Sequence, residues 1–314
     1  MTGAVDAFWS PWQDVALPEP LSPRVLEEIL DGGQAFRWHP QADRSWIGVW
    51  AAQAAELRLS AQGTLEARGP AAAGPAAETA LRHYLDAGRS ARDLADGLPW
   101  RSDAHLARCL EAFPGLRLLR QPFGETLLCF LCSAAKQVPQ IKQMAASMAE
   151  RHGPPLFPRA AGAARHAALF HRLPTWTELA QLPEAALRDC KLGFRARHVH
   201  QTARFLAAHP GWLEQVETAP YAEAKVRLCE LPGVGEKIAD CVLLFGAGRL
   251  EAFPVDVWII KAMSRRYGLE GWKPAQVAHF GRTHFGPWAG LAQQYLFAWE
   301  REEKKRGGSS SRML

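Results

Sequence analysis

Apolar and polar positions alternate in short runs through the first hundred residues and recur every three or four positions after that. Segments 34–38, 45–50 and 56–60 alternate and are broken by Gly, Asp and Gln, a pattern that predicts antiparallel strands. Residues 70–75 form a Pro/Ala/Gly loop, and 78–85 has helical spacing. From about residue 103 the helical period predicts segments at 104–113, 126–135, 141–152, 175–182, 185–191 and 196–208. It continues at 222–230, 237–245, 257–267, 274–285 and 291–301, with Gly and Pro at the boundaries. The pattern therefore predicts an α+β protein in four parts. Residues 1–20 are a Pro-rich extended arm, 21–102 a small mixed domain built on an antiparallel sheet, and 103–300 an all-helical domain. Residues 301–314 are a polar, basic tail expected to be disordered.

Composition leaves this picture standing. The 314 residues are 48% hydrophobic and 22% charged, as in ordinary globular proteins. Twelve tryptophans suit either a large core or flat ligands. The longest apolar stretch, at 126–135, is too short to span a membrane. No basic region followed by an apolar core opens the chain, so a cytoplasmic, nucleoid-associated protein is expected. The net charge of +5 suggests a nucleic-acid partner, but the tail from Arg301 holds five basic and two acidic residues. Only +2 remains on the other 300 residues, so any DNA surface must be local or rest on backbone amides. Cys129 and Cys132 have CxxC spacing inside an apolar run with no second pair, and no four-cysteine cluster follows Cys241. Buried thiols fit better than an iron–sulfur cluster.

The strongest local signal is Leu231-Pro-Gly-Val-Gly-Glu-Lys-Ile-Ala-Asp-Cys241. A helix ends near Glu230, Pro232, Gly233 and Gly235 make a tight turn, and a second helix starts near Glu236. Free N–H groups at that start suit a phosphate. Such a helix–hairpin–helix holds DNA backbone without reading sequence, whereas a plain helix connection capped by Gly is the bland alternative.

Lys237 opens the second helix, where a cation opposes the macrodipole at a cost of about 0.3–1 kcal/mol. A neutral amine is a competent nucleophile. Taken alone, Lys237 fits a phosphate-binding or solvated lysine better. Nineteen residues on, Phe253-Pro-Val-Asp256 leads into an amphipathic helix, and Asp256 occupies an N-cap position. Capping explains that position fully, yet a cap also fixes a carboxylate rigidly, as a catalyst requires.

Together these residues resemble the helix–hairpin–helix DNA glycosylase superfamily, with its hairpin and a Gly/Pro-rich loop ending in Val-Asp. The lysine followed by Ala-Asp-Cys resembles the 8-oxoguanine DNA glycosylase/AP lyase family, in a bacterial-type form. So do Gly33-Gln-Ala-Phe-Arg-Trp38, Leu192-Gly-Phe-Arg-Ala-Arg197 and Phe285-Gly-Pro-Trp-Ala-Gly-Leu-Ala-Gln293 with Phe297. The resemblance implies a small TBP-like N-terminal sheet domain and a helical glycosylase domain acting on double-stranded DNA containing 8-oxoguanine. It implies base flipping, attack of Lys237 on C1′, a Schiff base and β-elimination, with Asp256 stabilising positive charge on the sugar. It also implies a Gly33 carbonyl facing the protonated N7 of 8-oxoguanine, where guanine N7 is an acceptor. Gln293 would meet the Watson–Crick edge. Phe297 and Cys241 would sandwich the base, stacking being worth roughly 1–3 kcal/mol. Ordinary packing is the bland alternative for these residues.

The chain departs from the family where an Asn and an Arg fill the flipped base's gap and read the opposite cytosine. Ala135 and Gln140 stand at those places. Arg195 is left as a cytosine contact and Phe194 as a wedge, so relaxed opposite-base preference is expected. Trp258 stands where a phosphate-contacting His is usual, and Lys261 or His284 is the candidate substitute. A monovalent or Ca ion on the carbonyls of Cys229, Leu231 and Val234 is implied, with no required cofactor. The expected state is a monomer without membrane contact. The alternatives are an alkylated-base glycosylase acting through water, and a non-catalytic DNA-binding protein using the hairpin alone.

Overall fold

The computed structural model describes residues 8–157 and 169–310. Five antiparallel strands form one sheet in the order β1-β5-β4-β3-β2. They are β1 (Gln13–Asp14), β2 (Trp38–Pro40), β3 (Trp46–Trp50), β4 (Gln53–Leu59) and β5 (Leu65–Arg68). The close approach of Trp38 explains Gly48 opposite it, because a Cβ there would lie 2.3 Å from the indole. Trp38 stacks on Trp50 and donates its indole N–H to the Tyr84 hydroxyl at 3.1 Å.

Three helices accompany the sheet: α1 (Pro23–Asp31), α2 (Gly74–Tyr84) and α3 (Ala91–Asp96). The alternating pattern hid α1, although its start is well marked. Ser22 accepts from the Val25 N–H, Pro23 sits in the first turn, and Val25, Leu26, Ile29 and Leu30 are buried on one face. The helical part holds α4 (Ala104–Ala112), α5 (Phe123–Leu131), α6 (Val138–His152), α7 (Trp176–Ala180), α8 (Glu184–Leu187) and α9 (Arg195–Ala208). It continues with α10 (Trp212–Thr218), α11 (Tyr221–Cys229), α12 (Glu236–Phe245), α13 (Val257–Tyr267), α14 (Pro274–Phe285) and α15 (Ala289–Ser310). Every residue of α12 from Ile238 to Phe245 is buried, and Phe245 stacks on Phe130 of α5 at 5.6 Å.

Three expectations need correction. Residues 34–37 do not form a strand. Gln34 instead bridges to distant backbone, donating to the Arg117 carbonyl at 3.1 Å and accepting from the Leu119 N–H at 3.0 Å. The arm is not free: Phe8, Trp9 and Val15 are buried, and β1 pairs with β5 as an edge strand. The tail is not disordered as far as Ser310, because α15 continues to that point. Its charges find partners on other elements: Arg301 pairs with Glu28 at 2.9 Å, Glu303 with Arg266 at 2.9 Å and Lys305 with Glu27 at 3.1 Å. Residues 1–7 of the arm and 311–314 of the tail lie outside the described residues. No described helix is long and apolar enough to cross a membrane.

Candidate active site

The hairpin comes first along the chain. Gly233 has φ +81°, and a Cβ on it would lie 2.4 Å from the His198 ring, so only glycine fits. Gly235 caps α12 with open space around it. The backbone N–H groups of Gly233, Gly235, Glu236 and Lys237 find no acceptor within the described chain. They form the donor set that an anion at a helix start requires. The hairpin's two helices are locked from behind. Asp240, buried in α12, accepts from the Tyr221 hydroxyl at 2.7 Å and from Lys225 at 3.1 Å, both on α11.

Lys237 is half-buried. Its Nζ lies 3.5 Å from the Ser133 hydroxyl and 5.5 Å from the centre of the Phe130 ring. Asp256 caps α13, its Oδ1 accepting the N–H groups of Trp258 and Ile259 at 2.9 Å each. Burial pushes the Asp256 carboxyl above its ordinary value. The Ile259 amide, the Lys237 charge and the Trp258 amide oppose that shift without cancelling it. Lys237 and Asp256 line the same cavity and are not joined by a direct ion pair.

Both side chains open on one cavity of about 470 Å³ that Gly33, Cys241, Gln293 and Phe297 also line. Six residues predicted as catalytic or substrate-binding thus meet at one place, from four parts of the chain. Gly33 has φ +112° and packs against Phe297 and Val138, and its carbonyl accepts no hydrogen bond from the rest of the described chain. Gln293 is buried, and its Oε1 accepts from the Gln294 amide at 2.7 Å. Burial pushes the Cys241 thiol up to about 12, so it stays protonated and offers a neutral, polarisable wall.

The residues expected to face the opposite strand lie outside this cavity. Ala135 is exposed with φ +53°, and the Gln140 side chain accepts from the Gln137 N–H at the start of α6. Arg195, expected as a cytosine contact, is held by internal bonds. It is 3% exposed, and its guanidinium donates to the carbonyls of Ala134 and Leu192. Phe194, beside it, is 56% exposed. His284, a candidate substitute for the phosphate contact, bonds Asp103 at 3.1 Å.

Sequence reasoning missed Phe130, Ser133, Arg301 and Lys304 as cavity residues. Ser133 lies between Cys132 of the CxxC pair and Ala135. Lys304 lay in the stretch expected to be disordered. Among the described residues no three His, Cys, Asp or Glu side chains gather as a metal site.

Comparison with known proteins matches both halves of the chain. The family model for the 8-oxoguanine DNA glycosylase N-terminal domain matches residues 16–127. That for HhH-GPD superfamily base excision DNA repair proteins matches residues 158–283. A probable N-glycosylase/DNA lyase of Methanothermobacter thermautotrophicus is 39% identical over 111 residues, 35% of each chain. An N-glycosylase/DNA lyase of Arabidopsis thaliana is 31% identical over 244 residues, 73% of this chain and 64% of the relative. The matches thus span about a third and just under two thirds of these relatives. The solved Clostridium acetobutylicum 8-oxoguanine glycosylase/lyase, in complex with double-stranded DNA containing cytosine opposite 8-oxoguanine, superposes with a TM-score of 0.80 at 29% identity. That superposition covers 89% of this chain and 92% of the other.

Proposed function

We propose that the chain, whose two halves match the 8-oxoguanine DNA glycosylase N-terminal domain and the HhH-GPD base excision repair family models, is a bifunctional DNA glycosylase/AP lyase excising 8-oxoguanine from double-stranded DNA. The observation that carries this reading is the meeting of Lys237 and Asp256 on one cavity with Gly33, Cys241, Gln293 and Phe297. A cavity of about 470 Å³ can take a base turned out of the stack but not a duplex.

In this reading the lesion nucleotide enters between Phe297 and Cys241. Lys237 attacks C1′ as the neutral amine, and the C1′–N9 bond breaks with its electrons leaving on the base. Asp256, fixed by two backbone amides and carrying its charge near the sugar, stabilises positive charge as that bond breaks. Burial raises its proton affinity, which also suits it to take a proton from the Lys237 ammonium. Loss of the second amine proton and opening of the sugar ring give the Schiff base. Removal of a C2′ proton then expels the 3′ phosphate and cuts the strand. Gly33, through its unengaged carbonyl, accepts a hydrogen bond from the N7–H that guanine lacks.

The hairpin amides at Gly233 and Gly235 hold strand phosphates. A monovalent or Ca ion would rest on the carbonyls of Cys229, Leu231 and Val234. The Leu231 carbonyl accepts one bond from the Val234 N–H at 3.1 Å and keeps a second lone pair, so the turn tolerates such an ion. No step above depends on it, and the protein acts as a monomer.

Opposite-base preference is relaxed in this reading. Ala135 has no side chain to fill the gap, Gln140 is engaged at its helix start, and Arg195 is bonded internally. Phe194 remains as an exposed wedge that reads no base edge. Single-turnover excision of 8-oxoguanine opposite C, A, G and T tests both parts. We expect excision in every context, with rates spread over less than about a hundredfold, a few kcal/mol being what one good base contact supplies. Release of an alkylated base but not 8-oxoguanine would overturn the substrate, and a several-hundredfold preference for C would overturn the relaxed reading.

A further inference from the structure

The helix α15 runs on past the buried part of the fold, and ion pairs from α1 and α13 hold its charged turns. Arg301 sits on Glu28, Lys305 on Glu27 and Glu303 on Arg266. Lys304 is the exception. It is exposed, has no carboxylate within ion-pair distance among the described residues, and lines the catalytic cavity. It also lines a second, open cavity of about 660 Å³ that shares Trp258 and Lys304 with the first and holds Lys261 and Arg265.

Trp258 organises this place. The Nζ of Lys304 lies 5.0 Å from its ring centre and that of Lys261 lies 5.4 Å away. Lys261 likewise has no carboxylate within ion-pair distance among the described residues, although its charge acts on the buried Glu300. A ring that already faces two ammonium groups is a holder of cations and a poor platform for stacking a base. The acids nearby do not neutralise these lysines. Glu303 pairs with Arg266, and Glu300 is 3% exposed with its nearest cation, Arg265, at 3.9 Å. Two exposed ammonium groups lining one open cavity make a local positive field that favours an anion, and lysine binds phosphate as a point charge.

We propose that Lys304, with Lys261, binds a backbone phosphate of the DNA strand whose nucleotide enters the catalytic cavity, and that Trp258 holds the two lysines in place. The turn of α15 that carries Lys304 is then part of the DNA-binding site. The proposal rests on the DNA-glycosylase reading above. It assigns the lysines to binding, so they position the substrate and do not react.

The test measures equilibrium binding of the full chain to a duplex with an uncleavable abasic-site analogue, from about 50 to about 200 mM salt. Lys304→Gln and Lys304→Gln/Lys261→Gln are compared with wild type, and Lys305→Gln on the same helix serves as control. A second set of duplexes replaces one flanking phosphate at a time with a neutral methylphosphonate. We expect Lys304→Gln to weaken binding about tenfold at the lowest salt and to lower the slope of log K against log salt by about 0.9. One methylphosphonate position should abolish the difference between Lys304→Gln and wild type, and Lys305→Gln should match wild type. An unchanged slope in Lys304→Gln, or effects that add at every flanking phosphate, overturns the proposal. Because the readout is binding without chemistry, failure of wild type to cut 8-oxoguanine DNA would sink the substrate assignment and leave this test readable.

Discussion

Asp256 shows how one residue can hold a structural and a chemical place at once. Its Oδ1 is committed to two N–H groups of α13, and burial raises the proton affinity of the carboxyl. The consequence for stability has a definite sign. A carboxyl that binds its proton more tightly in the folded state contributes stability at low pH that is lost as pH rises through the folded value. We therefore predict that Asp256→Asn, whose amide oxygen can accept the same two bonds, melts at or above wild type near neutral pH. The gain should shrink at acid pH, as the buried wild-type carboxyl takes up its proton. Base release should nevertheless fall by about 10²–10³-fold. Thermal melts at both pH values and single-turnover rates check this, and full activity in Asp256→Asn would refute the assignment. The sequence placed Lys237 and Asp256 through spacing and resemblance. It could not place Phe130 under the lysine, because that contact depends on how α5 packs on α12.

Among the elements, long helices with regular periods were readable and short or partner-dependent pieces were not. The cap and first turn of α1 were written as Ser22-Pro23, but its nine residues lie beside segments that alternate. The strands β1 and β5 are two and four residues long, and neighbouring strands rather than periodicity define them. Residues 34–37 alternate like a strand, yet Gln34 is claimed by backbone some 85 residues away. The end of α15 failed for a related reason. Its charge run looks solvated in isolation, and Glu27 and Glu28 of α1, about 275 positions earlier, supply partners. That error hid Lys304 from the site. The departures at Ala135 and Gln140 were legible, but the internal bonding of Arg195 was not, since its acceptor Ala134 belongs to another loop.

At the scale of the whole molecule one core joins the sheet to the helices, running from Val15 and Trp38 through Phe130 to Tyr295 and Leu296. Buried polar contacts cross the same boundary: Glu19 pairs with Arg117 at 3.3 Å, and Gln34 bonds on both sides of Leu118. Removing one partner of such a pair leaves a buried charge exposed to low dielectric. We predict a single cooperative thermal transition for the full chain and none for a piece restricted to residues 103–310. Two separated transitions in the full chain would contradict this. The same continuity matters for function, because Gly33 from the first part and Lys237, Asp256, Gln293 and Phe297 from the second must share one cavity. The most direct measurement of the account is borohydride trapping on a duplex carrying 8-oxoguanine, with wild type and Lys237→Gln. Wild type should give a covalent protein–DNA adduct with the mass of a reduced Schiff base, and Lys237→Gln should give none while still binding the duplex. Base release by wild type without any trapped adduct, or an adduct that survives Lys237→Gln, would contradict lysine chemistry at this site.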